Sequence, residues 1–155
     1  MLRYKQITLS EVDFLETMVL RQADIDEMRV STGFSKPWDA LKYSIAHSSE
    51  WTEACYNDET GEIIMVFGLG KAESFGVPWM VGSPSMKKHK KVLMRYAKKV
   101  IEQMLSEFNE LINYVDSRND QHIHWLKHMG FKFDESKDVC IGKIPFRYFY
   151  KRRNE

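Results

Sequence analysis

Between Met86 and Phe108 the apolar residues Leu93, Tyr96, Val100, Met104 and Phe108 recur at helical spacing with lysines between them, which predicts a long amphipathic helix. Such a helix needs an apolar surface to cover, and strand-like sequence flanks it on both sides. Tyr4 to Thr8, Trp51 to Tyr56, Glu62 to Leu69 and Val77 to Val81 precede it, and Leu111 to Val115 follows. Phe131 and Phe133, then Ile144, Phe146, Tyr148 and Tyr150 at period two, predict a closing pair of strands. Asn57 to Gly61 is a turn-rich connector of hairpin length, so the strands beside it should run antiparallel. Pro78 assigns the Val77 to Val81 run to a sheet edge or to the first residues of a strand, because proline donates nothing to a ladder.

Two helices are predicted between the first two strands. Ser10, three residues ahead of Asp13, caps a helix that carries Val12, Leu15, Met18 and Val19 on one face. Arg21 to Ser35 carries Ile25, Met28 and Val30 with a break at Gly33, and Pro37 then sits in the first turn of a helix with Trp38, Leu41 and Ile45. Late in the chain, Asn119 or Asp120 caps a helix bearing Ile123, Leu126 and Met129 that stops at Gly130. The predicted order is β-α-α-β-β-β-α-β-α-β-β, with no repeat and no linker. An α/β (α+β) domain over residues 1–155, a mixed and mostly antiparallel sheet flanked by helices, is the economical architecture.

Size and charge narrow the function. A chain of 155 residues with 43% hydrophobic residues builds one core, which excludes a multidomain enzyme. Its 23 basic and 22 acidic residues leave +1, so nothing global demands nucleic acid or an anionic membrane. Cys55 and Cys140 lack metal-type spacing, which fits idle thiols in a reducing compartment. No apolar signal core opens the chain, and no run approaches the roughly 18 to 20 apolar residues of a spanning helix. No GxSxG, phosphate-binding Walker loop or dinucleotide fingerprint is present, so hydrolase, NTPase and dehydrogenase chemistry has no residues to stand on.

The long helix after the fourth strand, and the shorter one ending at Gly130 and Phe131 after the fifth, resemble the GNAT acetyltransferase superfamily. Asn119, then His122, Ile123, Trp125 and Leu126, then Gly130 and Phe131, stand at that family's spacing. From about Trp79 onward, the pattern Leu111 to Val115, Asn119, His122-Ile123, Leu126-Lys127 and Gly130 is also similar to the internal virion protein A family of T7-like podoviruses. The resemblance implies a GNAT-like fold, a phage origin, acetyl-CoA or CoA as cofactor, and a location in the infected host cytoplasm or the virion. It also implies a phosphate-holding loop of the form [Q/R]xxGx[G/A] before the long helix. Here Lys87 fits the first position, whereas the glycine positions fall on Lys90 and Val92, whose side chains obstruct a close backbone approach. The family's frequent tyrosine acid, four residues before the helix-ending glycine, is Leu126 here.

Those departures lead to the expectation of a degenerate acetyl-CoA site in a phage protein that works through contacts with a phage or host protein, in virion assembly or in the infected cell. The alternative is an acetyl-CoA-dependent N-acetyltransferase acting on an amine. There Val81 and nearby strand N–H groups would polarise the thioester carbonyl, and Lys87, Lys88 and Lys90 would hold phosphates. Asp116, Glu73 or His122, beside Asn119, would serve as base. Ser83 and Ser85 have hydroxyls for a helix cap or for a phosphate. The run Lys87 to Lys99 contains no acid and reads as a solvated face, a phosphate or acidic-partner contact, or, in a third function, a nucleic-acid module. His124 and His128 share a helix face, but no HExxH or cysteine pair accompanies them, so no metal is expected.

Overall fold

A computed structural model describes residues 1–155. The strands are β1 (Leu2–Gln6), β2 (Trp51–Asn57), β3 (Ile63–Ala72), β4 (Phe75–Gly82), β5 (Glu110–Asp116), β6 (Lys132–Phe133), β7 (Val139–Ile141) and β8 (Ile144–Arg152). They form one sheet in the order β1-β2-β3-β4-β5-β8-β6, with β7 also on β8. Every pair is antiparallel except β4 with β5. The helices are α1 (Gln22–Thr32), α2 (Pro37–Ala46), α3 (Lys90–Glu107) and α4 (Asp120–His128). Alternation along the strands gives the sheet two apolar faces. One carries Ile64, Leu111 and Val115 against Leu93, Met104 and Ile123 of α3 and α4; the other carries Ala54, Val66 and Val81 against Met28, Leu41 and Ile45 of α1 and α2.

Several boundaries differ from the sequence reading. The helix expected from Ser10 is a 3₁₀ turn over Leu9–Leu15, and Thr8 rather than Ser10 opens it. Glu11 decides this: its Oε1 accepts from the Thr8 hydroxyl at 2.9 Å and from the Thr8 N–H at 3.4 Å. The Arg21 to Ser35 segment supplies the true first helix, closed by Gly33 at φ 80. The long helix begins at Lys90 rather than Met86, because Pro84–His89 winds as a 3₁₀ turn that tucks Met86 against Gly82. The closing strand pair is a trio: β7 lies between β6 and β8 in the chain, and both pair with β8.

Pro78 lies in the sheet interior, not at an edge or a strand's start. Its place becomes possible because β4 and β5 pair only at Gly76 and Leu111 and then part. Asn113 takes over where they separate. Its Nδ2 donates to the Pro78 carbonyl at 2.8 Å and its Oδ1 accepts from the Tyr114 N–H at 2.8 Å, so one side chain stands in for the missing ladder. Pro78 therefore turns its donorless nitrogen toward the gap, where no strand needs it.

Candidate functional site

Backbone groups alternate sides along a strand, and the bonds around the fork fix which residues of β4 face it. The Gly82 N–H donates to Asp24 Oδ2 at 2.8 Å and the Gly82 carbonyl accepts from the Arg21 N–H at 2.8 Å, both on the gap side. Ser83 instead donates its N–H to the Ile64 carbonyl of β3 at 2.9 Å. Pro78, Met80 and Gly82 thus face the gap, and Val81, paired with Val66, faces β3. Val81 is corrected as the carbonyl-polarising donor: its N–H belongs to the β3 ladder, and the N–H that points into the fork is that of Met80.

The far side of the fork is closed by α1. Asn119, at the helix-capping position of α4, makes no cap. Its amide turns inward, donating to Asp24 Oδ1 at 2.9 Å and to Glu27 Oε1 at 3.3 Å, while its Oδ1 accepts from Arg21 Nη2 at 3.1 Å. Glu27 Oε1 also accepts the Asp116 N–H of β5 at 3.0 Å. Two carboxylates one helical turn apart therefore satisfy the backbone donors left open on both prongs. Burial raises the Glu27 carboxyl to about 8, reinforced by the neighbouring charges of Asp24 and Asp116. Asp116 is itself buried and held by the Arg118 guanidinium, with Nη2 to Oδ2 at 2.7 Å.

Of the three expected bases, Asp116 and His122 reach this region and Glu73 does not. Glu73 sits in the exposed hairpin between β3 and β4 at φ 48, at the opposite end of β4 from the fork. Arg21, Asp24 and Glu27 were missed. The signal was present, an acidic pair three residues apart in a segment with Met28 between it and the helix end, but local sequence does not say that the pair faces a strand fork 55 to 90 residues away.

Beside this cluster, bordered by Arg21 and Asn119, a groove of ≈ 980 Å³ runs between the Pro84–His89 turn and α4. Its walls include Arg21, Lys87, Lys90 and Arg118, and Asp120 is its sole carboxylate. Its apolar members are led by Met80, Met86, Met94 and Trp125. Next to it, lined by Met80, Met104, Trp125, Leu126 and His122, lies an apolar slot of ≈ 60 Å³. His122, 6% exposed, borders both, and its Nδ1 has no partner; burial holds its pKa below the usual histidine value. Ser83, 1% exposed, also borders the groove with an unpartnered Oγ, and it caps nothing. Ser85 is corrected: its hydroxyl donates to Glu62 at 2.6 Å and it does not line the groove. Lys88, exposed, is likewise absent from the lining. His124 and His128 stand on the groove's outer wall with their Nε2 atoms 2.9 Å apart. No group of three or more metal-ligating side chains forms, and no helix is long and apolar enough to cross a membrane.

The fold is shared with solved proteins. The aminoglycoside acetyltransferase AAC(6')-Ib in complex with coenzyme A matches with a TM-score of 0.68 at 12% identity, covering 99% of this chain and 95% of that one. An acetyltransferase of the GNAT family from Bacillus anthracis matches at 0.70 and 10% identity, over 99% and 96%. The fold is that of the GNAT acetyltransferases. A putative acetyltransferase from Acinetobacter baylyi, at 0.66 and 13% identity over 99% and 94%, agrees. A sequence family described as bacteriophage T7, probable scaffold protein Gp13, matches residues 64–137, just under half of the chain. That match begins upstream of Trp79 and covers both prongs of the fork and most of the groove lining, but not α1 with Arg21, Asp24 and Glu27. No curated protein matches the sequence.

Proposed function

We propose that the chain is a phage-type protein that uses the GNAT fold as a binding scaffold, acting through contacts with another protein, with the backbone phosphate cradle of the acetyltransferases absent. One observation carries this reading: the chain enters the cradle segment, which starts at Lys87, through a 3₁₀ turn over Pro84–His89, and the cradle's glycine positions are Lys90 and Val92 in the first turn of α3. In that geometry N–H groups are taken by carbonyls three residues earlier, as in the 3.1 Å bond from Met86 to Ser83. A pyrophosphate arriving there meets lysine side chains in place of converging backbone donors. The slot fits the cofactor no better. At ≈ 60 Å³ it has room for on the order of four waters, not for an extended thiol-bearing arm. Leu126, the position of the family's acid, lines that slot and has no proton to give. The likeness to a phage scaffold-protein family supports the same reading.

Isothermal titration with acetyl-CoA and with CoA tests it, beside a Lys87→Ala/Lys90→Ala variant. The expected result is no saturable heat at micromolar ligand. Micromolar binding that the variant loses would overturn the reading.

A second reading, amine N-acetylation, is favoured by Glu27. Its carboxyl, raised to about 8 by burial, accepts the Asp116 N–H at 3.0 Å at the fork, a group able to exchange a proton near neutral pH. Acetyl-CoA turnover with amine acceptors that is lost in Glu27→Gln, with folding retained, would establish it.

A further inference from the structure

The groove between the Pro84–His89 turn and α4 has a composition of its own, apart from what the wound turn removes. Three of its apolar members are methionines, Met80, Met86 and Met94, with Trp125 beside them. Methionine side chains adapt to irregular partners and are common where one surface must accept a peptide. Lys87 and Lys90 stand on one wall and Arg118 on the other, and neither lysine makes an ion pair. Asp116 engages Arg118 through Nε and Nη2, which leaves Nη1 for another acceptor. Within the walls, Ser83 Oγ and His122 Nδ1 are buried and unpartnered. A buried polar group without a partner is costly to the fold, and both of these residues lie in the lining of this one groove.

Taken together, these features suit one kind of occupant. We infer that the groove docks an acidic, amphipathic peptide segment of a partner protein, whose apolar side chains lie on the methionines and Trp125 while its carboxylates meet Lys87, Lys90 and Arg118. The inference rests on the protein-contact reading above and names the partner's chemistry. Separate monoanionic carboxylates match cations dispersed along two walls, whereas a polyphosphate needs donors converging on one point, and the 3₁₀ turn has removed those. The volume of ≈ 980 Å³ suits a short segment rather than a whole domain surface. Of the lysine run Lys87 to Lys99, only Lys87 and Lys90 take part; the remainder lies off the groove.

The test is selection of a random-peptide display library on the full chain and, in parallel, on a Lys87→Glu/Lys90→Glu variant. Both positions are exposed, and a matching thermal midpoint confirms that the variant folds. Enriched peptides are expected to interleave Asp or Glu with Leu, Met or Phe. As synthetic peptides they should bind wild type at least about tenfold more tightly than the variant, and more weakly as salt rises. No enrichment, a basic or purely apolar consensus, or equal binding to the variant would overturn the inference. Competition with CoA separates it from the reading beneath it. Displacement of a selected peptide by micromolar CoA would show that the groove also holds the cofactor, which defeats the cofactor-free reading while the peptide site stands. Absence of both peptide and CoA binding defeats the peptide site alone.

Discussion

Asn119 was legible as an important position and misread as to its work. Its place ahead of a helix suggests a cap, the common use of asparagine there, yet its side chain is buried and joined to Arg21, Asp24 and Glu27. Those partners lie more than 90 residues earlier, beyond the range of any local pattern. Asn119→Ala removes the amide that the buried Asp24 Oδ1 and Glu27 Oε1 share. The expected loss is about 1–3 kcal/mol in urea unfolding, the usual cost of leaving buried polar groups unpaired. A loss below about 0.5 kcal/mol would mean that water replaces the amide and that the cluster is not closed as described. Leu126 is the contrary case. Its expected place rested only on spacing from Gly130, and the side chain lines the apolar slot.

At the level of elements, the central strands and the two later helices were legible because each buries a periodic face, whereas the short, exposed β7 was not. What escaped was where β4 sits. A proline argued for an edge, and the rule behind that argument holds, since Pro78 has no neighbouring strand on its nitrogen side. The sequence does not reveal that an interior strand parts from its neighbour two residues after their one bridge. Asn113 maintains that parting in its observed form, bonded to both Pro78 and Tyr114. Asn113→Ala should leave the Pro78 carbonyl and the Tyr114 N–H without these partners and cost about 1–2 kcal/mol. Amide exchange at Tyr114 should quicken by more than at Leu111, which lies on the closed side of the fork. Equal acceleration at both would indicate global destabilisation instead of a local role at the fork.

For the whole molecule, the fork gathers buried titratable groups whose effects on stability have opposite signs. Glu27 has its carboxyl raised to about 8, so the folded state holds a proton that the unfolded chain releases near the ordinary glutamate value. Stability from this group is full below that ordinary value and declines as pH rises to about 8. His122, lowered by burial, behaves oppositely: the folded state resists protonation, so stability falls as pH drops below the ordinary histidine value of about 6.5. Glu53 is also raised by burial and adds to the Glu27 trend. The groups packed around Glu27 and His122 are Arg21, Asp24, Asp116 and Arg118; the two arginines limit the repulsion when Glu27 ionises. Between pH about 6.5 and 8 the unfolded histidine loses its remaining charge and its effect fades, so the decline there belongs chiefly to Glu27. Glu27→Gln keeps an acceptor for the Asp116 N–H and removes the titration. Its stability relative to wild type should therefore rise with pH across that window, by on the order of 1–2 kcal/mol, in urea unfolding at fixed ionic strength. A constant difference across the window would show that the carboxyl ionises at its ordinary value. The fork would then carry a permanent charge on α1, and Glu27 would have no neutral-pH proton to exchange with an amine.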